Sequence, residues 1–540
     1  MQSLNVEQLQ SKYGHLKDIE LRSYHHARPG ILIGLEHSHL LLPLEHKIGP
    51  ANTPSAIRTK LGWSIFGKSF DNHSMEYAMV ISENDYMREM MHRYYSTEDF
   101  GVKVVEELPK PKCDIRGEKI LNDTMLYKNG RYEVGLLWRE DNFTFPESYN
   151  FALKRLESQE RQLSKNLELK KWAIETFQDY EKKDYIRKLS AEECLKPFPR
   201  IFYLPHFIVQ NENKQPPKPR LVFDAAAKIN GVSFNSALLS GPDATTSLFG
   251  VLLRFREGSI AICGDIKEMF HQVRINDNDQ HAQRFLWRNG KPDQKPDVYV
   301  MQVMTFGSTC SPSCAQAVKN NNAESFRDIY PIAAEAIKKQ HYVDDYLDSF
   351  NSLENAREIC NQVVEIHNKA GFFIRNFISN SKELLRNLPE DRINEKSVKL
   401  FEEKNSPVEK VLGVYWNTTH DYFGYHVKMG KLPTAVLDGC RFPTKREVLA
   451  FVMSIYDPLG LIAHKTIPGK KLLQKLHKAT IEWDQEIPPC FENEWTTWIE
   501  LIKSLDQIVI PRCITLEDAE KFELHVFVDA SETAFRRVCI

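Results

Sequence analysis

Apolar positions are spread unevenly along the 540 residues, and their spacing divides the chain before any single residue is considered. Over 29–70, short apolar runs alternate with Pro29-Gly30, Gly34, Gly49-Pro50, Gly62 and Gly67, which predicts short strands joined by turns. From 71 to about 130 the chain is polar, lacks apolar periodicity and contains Pro109-Lys110-Pro111-Lys112; it reads as a linker, extended to 148. Leu153, Leu156, Leu163 and Leu167 then recur at helical spacing among many charges, predicting one or two amphipathic helices over 149–190. Between 200 and 380, strand-like runs at 201–209, 221–223, 260–264, 299–304 and 342–348 alternate with helical ones, an α/β (α+β) pattern. A second helical region runs from about 445 to 478, and 522–530 reads as one strand.

Composition changes this picture little. A chain that is 42% hydrophobic and 27% charged is a folded, multidomain protein. Its net charge of −2 does not announce a nucleic-acid partner, but local counts do more. From Lys154 to Arg220 there are fifteen Lys or Arg against ten Asp or Glu, an excess of five positives. Between Leu459 and Thr480 there are five lysines and no acid, with Leu472, Leu473 and Leu476 on the opposite side, a helix able to follow a phosphate backbone. An ordinary solvated helix face accounts for it nearly as well. The ten cysteines form no paired CxxC clusters, which argues against structural zinc and for a reducing compartment. Neither a secretory signal nor an apolar run long enough to span a bilayer is evident, so a soluble intracellular protein is expected.

Two segments carry candidate chemistry. Ile260-Ala261-Ile262-Cys263-Gly264-Asp265 is an apolar strand that delivers one carboxylate. Tyr342-Val343-Asp344-Asp345 places two more between strand-like runs, where adjacent like charges repel unless a cation lies between them. Taken alone, the four-residue match is as well explained by an exposed hairpin turn. Between the two segments lies Phe306-Gly307-Ser308-Thr309-Cys310-Ser311-Pro312-Ser313-Cys314-Ala315-Gln316, a glycine turn followed by a Ser-Pro helix start and small residues that would let a helix pack closely. Aspartates from separate strands are what two-metal nucleotidyl transfer requires, since Mg²⁺ takes oxygen ligands and completes its shell with substrate phosphates.

In this order the segments resemble the motifs of reverse transcriptases. The resemblance implies a right-hand polymerase with fingers, palm and thumb, in which Asp265, Asp344 and Asp345 are the catalytic, metal-holding residues for two Mg²⁺ ions, with Mn²⁺ as a substitute. Lys218-Pro219-Arg220-Leu221-Val222-Phe223 resembles the fingers strand whose arginine, matched by Arg220, contacts the incoming triphosphate. Phe306, Gly307 and Gln316 fall in the motif that opens the helix beside the substrate. Lys410-Val411-Leu412-Gly413-Val414-Tyr415-Trp416 resembles the primer grip, preceded by Gly371-Phe372-Phe373-Ile374-Arg375. Phe270, five residues after Asp265, matches the aromatic that acts as a steric gate against a 2′-hydroxyl.

The wording is most similar to the BEL/Pao group of long-terminal-repeat retrotransposons, through Arg131-Tyr132-Glu133-Val134-Gly135-Leu136-Leu137-Trp138, Ser233-Phe234-Asn235, Leu238-Leu239-Ser240-Gly241-Pro242 and Tyr456-Asp457-Pro458-Leu459-Gly460. This implies a Pol polyprotein with residues 1–70 as a β-rich C-terminal remnant of a retropepsin-like aspartic protease, carried by Ile31-Leu32-Ile33-Gly34. Residues 71–148 would be a linker, 149–385 fingers and palm, and 386–520 a thumb or connection resembling the Pao-type peptidase region. Residues 521–540 would start a truncated RNase H domain, with Asp529 in Leu524-His525-Val526-Phe527-Val528-Asp529 as its first metal carboxylate. No Asp-Ser/Thr-Gly precedes Ile31, so protease activity is not expected, nor is RNase H activity from one strand. The expected partners are an RNA template, a DNA or RNA primer, dNTPs and Gag-like particle proteins, in cytoplasmic particles and without a membrane. The alternative is a decayed element that keeps the fold and nucleic-acid binding but not the activity.

Overall fold

The strand Ile260–Ile266 is apolar on both faces, which demands a sheet covered on two sides. In the computed structural model of the chain it lies third of four, in the order His341–Tyr342, Asp345–Phe350, Ile260–Ile266, Ile374–Ser379, with antiparallel neighbours throughout. The period of two sorts its side chains. Ile262, Ile266, Tyr346, Ile374 and Phe377 join the main core with the helices Ser311–Glu324, Pro331–Lys339 and Leu353–Lys369. Ala261, Cys263 and Leu347 pack on the opposite side with Val411, Val414, Trp416 and Phe423 of a second sheet. Gly264 is restricted by that packing: a Cβ there would come within 2.9 Å of the Phe377 ring.

The structure describes residues 5–21, 23, 40, 42–50, 53–66, 110–211, 218–394, 408–427, 429–514, 523, 525–530 and 535–539. The chain divides into two units, Met1–Pro109 and Lys110–Ile540. In the first, the helix Val6–Lys12 is capped by the Asn5 side chain, and the strands Glu45–Lys47, Ser55–Thr59 and Gly62–Phe66 form an antiparallel meander. Tyr13, Leu16, Ile19, Ala56 and Ile65 make its small core. The expected element Ile31–Gly34, Gly67 and residues 71–109 of the expected linker lie outside the described residues.

The rest of that linker is folded. Lys112–Thr124 is a helix, Leu126–Lys128 and Arg131–Val134 form a hairpin, and Val134, Leu136, Leu137 and Trp138 are buried in the main core. The charged, aperiodic sequence hides this, because only one edge of each short element is apolar. The region 149–190 holds two helices, Tyr149–Leu163 and Leu167–Lys182. Leu156 and Leu163 are buried as the periodicity requires, but Leu167 is 76% exposed. The Asn166 side chain accepts from the Leu169 amide, starting a new helix at Leu167 and removing it from the stripe of the first. The hairpin His206–Asn211 and Lys218–Phe223 packs over these helices, with Phe177, His206, Phe223, Phe285 and Trp287 in ring contact.

Toward the C-terminus, Val408–Val411, Val414–Asn417, Tyr422–Gly424 and Val509–Pro511 form the second sheet. Between its third and fourth strands the chain makes the helices Lys445–Ser454, Ala463–Lys478 and Pro489–Lys503, whose core includes Val448, Phe451, Leu472, Leu476, Trp495 and Trp498. Thr444 and Glu447 cap the first of them reciprocally. Leu472 and Leu476 of the lysine-rich helix face inward as expected, while Lys475 is paired with Glu494. Val526–Ala530 pairs with Phe535–Cys539. Among the described residues no helix is long and apolar enough to cross a membrane.

Candidate active site: three carboxylates at the end of the central sheet

Asp265 is the last polar residue of its strand and shares a face with Ala261 and Cys263. Asp345 opens the neighbouring strand and is the direct register partner of Asp265. Directly opposed residues of an antiparallel pair bring their Cβ atoms to about 5 Å, so two acidic groups confront each other across the ladder. Asp344 belongs to the turn before Asp345, which the left-handed Val343 (φ 57°) makes tight. Two hydrogen bonds hold that turn. The Gln316 side-chain amide donates to the Val343 carbonyl at 3.0 Å, and the Ile266 amide donates to the Asp344 carbonyl at 2.8 Å.

The electrostatics are unfavourable as they stand. Burial pushes the Asp344 carboxyl above its usual range, and the charge of Asp265 adds to this. Burial, then Asp344 and Asp265, push Asp345 up to about 7. No cation among the described residues pairs with Asp344 or Asp345. Asp265 alone has support: the Asn376 side chain donates to it at 2.5 Å, and Arg375 lies 3.6 Å away in a half-exposed ion pair. Such a group of acids attracts a cation. Among the described residues no three His, Cys, Asp or Glu side chains converge as a preformed metal cage. An ion that takes one or two carboxylates and completes its shell with water and phosphate needs none, so the oxygen-only donor set fits Mg²⁺.

This strain has a measurable consequence. The folded state holds the Asp345 proton up to about 7, against 3.8 for an unperturbed carboxyl, so folding binds a proton more tightly than the unfolded chain does. Stability of the metal-free protein therefore falls as pH rises through that window. Asp345→Asn removes the penalty. In EDTA above neutral pH its stability is expected to exceed that of the wild type by about 2 kcal/mol, after discounting for partial exposure. A thermal or urea midpoint equal to or below the wild-type value would contradict this.

Phe270 and Phe306 are in ring contact beside the Gly307 turn. The Phe270 ring, half-buried in the turn Met269–Gln272, meets Phe306 at 4.9 Å between centroids, and His271 meets the same ring at 5.0 Å. Phe306 is 46% exposed. Gly307 has φ +103°, and a Cβ on it would come 2.9 Å from the Phe223 carbonyl. The Gly307 turn thus lies against the end of the strand that carries the exposed Arg220. Gln316 is buried, and its side-chain amide donates to the Val343 carbonyl. The small residues of its helix, Ser311, Cys314 and Ala315, are likewise fully buried in the protein.

Two contributors escaped the sequence reading. Asn376, left-handed at φ 55°, orients Asp265. Asn235 bridges the Phe306–Gly307 turn by donating to the Gly307 carbonyl and accepting from the Thr309 amide, each at 2.9 Å. An Asn whose φ is positive has no mark in sequence beyond its residue type. Asn235 lies in a segment already singled out for its wording, which was the one signal available.

Residues 225–377 match the family model described as reverse transcriptase (RNA-dependent DNA polymerase), a span that contains Asp265, Phe270, Phe306, Gly307, Gln316, Asp344 and Asp345 but not Arg220. Residues 444–540 match the model described as Pao retrotransposon-like RNaseH-like domain. The chain therefore carries a reverse transcriptase, an RNA-directed DNA polymerase. The two matches together mark it as a Pol protein of the Pao/BEL retrotransposon type. No curated protein matches it significantly. The RNaseH-like match begins at 444, so it takes in the three-helix module as well as Asp529 and the final hairpin, and not the last twenty residues alone.

Proposed function

We propose that the chain extends a primer 3′ end along an RNA template by two-metal nucleotidyl transfer, with Asp265, Asp344 and Asp345 as the metal-holding carboxylates. The observation that carries this reading is the register opposition of Asp265 and Asp345, with Asp344 at the adjoining turn and, among the described residues, no cation paired with Asp344 or Asp345. Bound Mg²⁺, or Mn²⁺ in its place, would activate the attacking hydroxyl and support the departing pyrophosphate. The protein's part is orientation. Asn376 fixes one oxygen of Asp265, and Gln316 fixes the turn that presents Asp344. Asp345, proton-bound up to about 7, gives up that proton when positive charge arrives.

Arg220 meets the triphosphate of an incoming dNTP; its exposure, on a strand that ends against the Gly307 turn, supports this role. Phe270, backed by Phe306, serves as the wall beneath the sugar. Residues 149–385 then act as fingers and palm, and the second sheet with its helical module as thumb and connection. Asp529, within the RNaseH-like match, is the first metal carboxylate of that part; residues 1–70 are a C-terminal remnant of a retropepsin-like protease, a reading that the three-stranded meander within them supports. Gag-like particle proteins are the fitting assembly partners in the cytoplasm.

Primer extension by the purified chain on an RNA template with Mg²⁺ and dNTPs tests the proposal. Extension that requires both the template and the metal is expected. A folded protein that binds template–primer yet adds no nucleotide would be a decayed element instead. Phe270→Val tests the sugar wall: ribonucleotide incorporation should rise by at least about tenfold relative to deoxynucleotide, the scale of relieving one steric clash. An unchanged ratio would remove Phe270 from that role.

A further inference from the structure

The residue three after Asp265 adopts a conformation that its type disfavours. Glu268 is left-handed, at φ 50° and ψ 43°, where a side chain with a Cβ is crowded by its own backbone. It nevertheless begins the short turn Met269–Gln272 that carries Phe270, and its carbonyl accepts from the His271 amide at 2.9 Å. Something must hold it there.

The holding group comes from the far side of the molecule's sequence. Lys183, just beyond the helix Leu167–Lys182, donates to both Glu268 carboxylate oxygens at 3.2 Å and is itself anchored by Asp179 at 2.6 Å. The Tyr185 hydroxyl donates to Glu268 at 3.0 Å and accepts from the Gln272 side chain at 2.8 Å. Burial pushes the Tyr185 phenol up to about 12, so it keeps its proton and remains a donor. The two ends of the turn, Glu268 and Gln272, are thereby tied to one phenol, and Phe270 lies between them. Rings complete the clamp: Tyr185 and Tyr180 both contact His271, at 5.0 and 5.2 Å.

Polymer chemistry does not use these groups. Glu268 hydrogen-bonds Lys183 and Tyr185, and its negative charge is paired with Lys183, which it shares with Asp179. A purely structural ion pair would also serve if it sat anywhere on the surface. This one sits at the left-handed residue that opens the turn carrying Phe270.

We propose that Glu268, latched by Lys183 and Tyr185, is a positioning residue that fixes how far Phe270 projects beneath the nucleotide sugar and so sets the discrimination between deoxyribo- and ribonucleotides. This rests on reading Phe270 as the sugar wall. Loss of the latch lets the left-handed residue relax, and the turn with it. The expected effect is a change in nucleotide selection larger than the change in overall rate.

Single-nucleotide extension with a dNTP and the rNTP of the same base, on the full chain, decides the matter. Tyr185→Phe retains the ring and its packing and removes one hydroxyl, so it is the variant that keeps the fold; Glu268→Ala removes the whole latch. Each is expected to lower the deoxy-to-ribo ratio of kcat/KM by roughly fivefold (about 1 kcal/mol), the worth of a hydrogen bond. Neither should add to the effect when combined with Phe270→Val, since both act through that ring. If Phe270→Val lowers the ratio and the latch variants do not, the latch is overturned and the sugar wall stands. Should Phe270→Val leave the ratio unchanged, the wall is overturned, and the latch with it.

Discussion

Asp344→Asn is expected to reduce primer extension by about a thousandfold or more while leaving the protein folded. The carboxylate is replaced by a group of the same shape that carries no charge, so under the proposed two-metal mechanism what is lost is metal affinity and the charge stabilisation it brings, several kcal/mol of transition-state energy at 1.36 kcal/mol per decade. Folding should not suffer. Burial already opposes the charge on Asp344, so the neutral amide fits the unloaded site at least as well. The measurement is a pair: extension rate with Mg²⁺, and unfolding midpoint in EDTA. Undiminished extension would exclude Asp344 from the metal site, whereas lost extension with a lowered midpoint would indicate a folding defect rather than a chemical one.

The largest effect on stability is expected far from the chemistry, at Arg512. Its side chain is fully buried, follows the strand Val509–Pro511, and meets both oxygens of Asp421 at 2.7 Å. It also donates to the carbonyls of Phe255, Gly258 and Ser259, at 2.5, 2.9 and 3.0 Å. One planar guanidinium thus satisfies five acceptors from two distant stretches, tying the strand that closes the helical module to the segment that leads into Ile260–Ile266. Among the described residues the Asp421 carboxylate keeps only the Trp416 indole, at 2.9 Å, when the arginine side chain is removed. Arg512→Ala should cost about 3–5 kcal/mol, the range for breaking one side of a buried pair. Arg512→Lys should restore little, because an ammonium cannot make the forked contact. Urea unfolding checks both, and a loss below about 1 kcal/mol would show that the pair is dispensable.

Legibility in the sequence followed the range of the forces involved. The Ser-Pro pair of residues 311–312 predicts a helix start, and the helix Ser311–Glu324 begins there with proline in its first turn. The strand at 260 was legible from its unbroken apolar run, and the Tyr342–Asp345 turn from two carboxylates that a strand interior would not tolerate. Residues 112–138 were not legible as structure, because a thirteen-residue helix with only Gly117 and Leu121 buried is mostly polar by composition. Leu167 misled for the opposite reason: it continues a helical period that the chain interrupts at Asn166.

The site shows the same division. Gln316 was legible as part of a motif, yet its contact with the Val343 carbonyl was not, since nothing local says which way an amide faces. Asn376 and the Lys183–Tyr185–Glu268 contacts were invisible, being pairings of residues far apart in the chain.

By itself, the sequence determined which carboxylates are available and in what order, because strand period, turn and helix start are set by neighbouring residues. Tertiary structure alone decided that Asp265 stands directly opposite Asp345, that burial raises the energy of the Asp345 charge, that Asn376 holds Asp265, and that Gln316 holds the turn before Asp345. Register between distant strands is fixed by which faces must be covered, and the cost of a buried charge depends on what lies around it; neither is a local property of the chain.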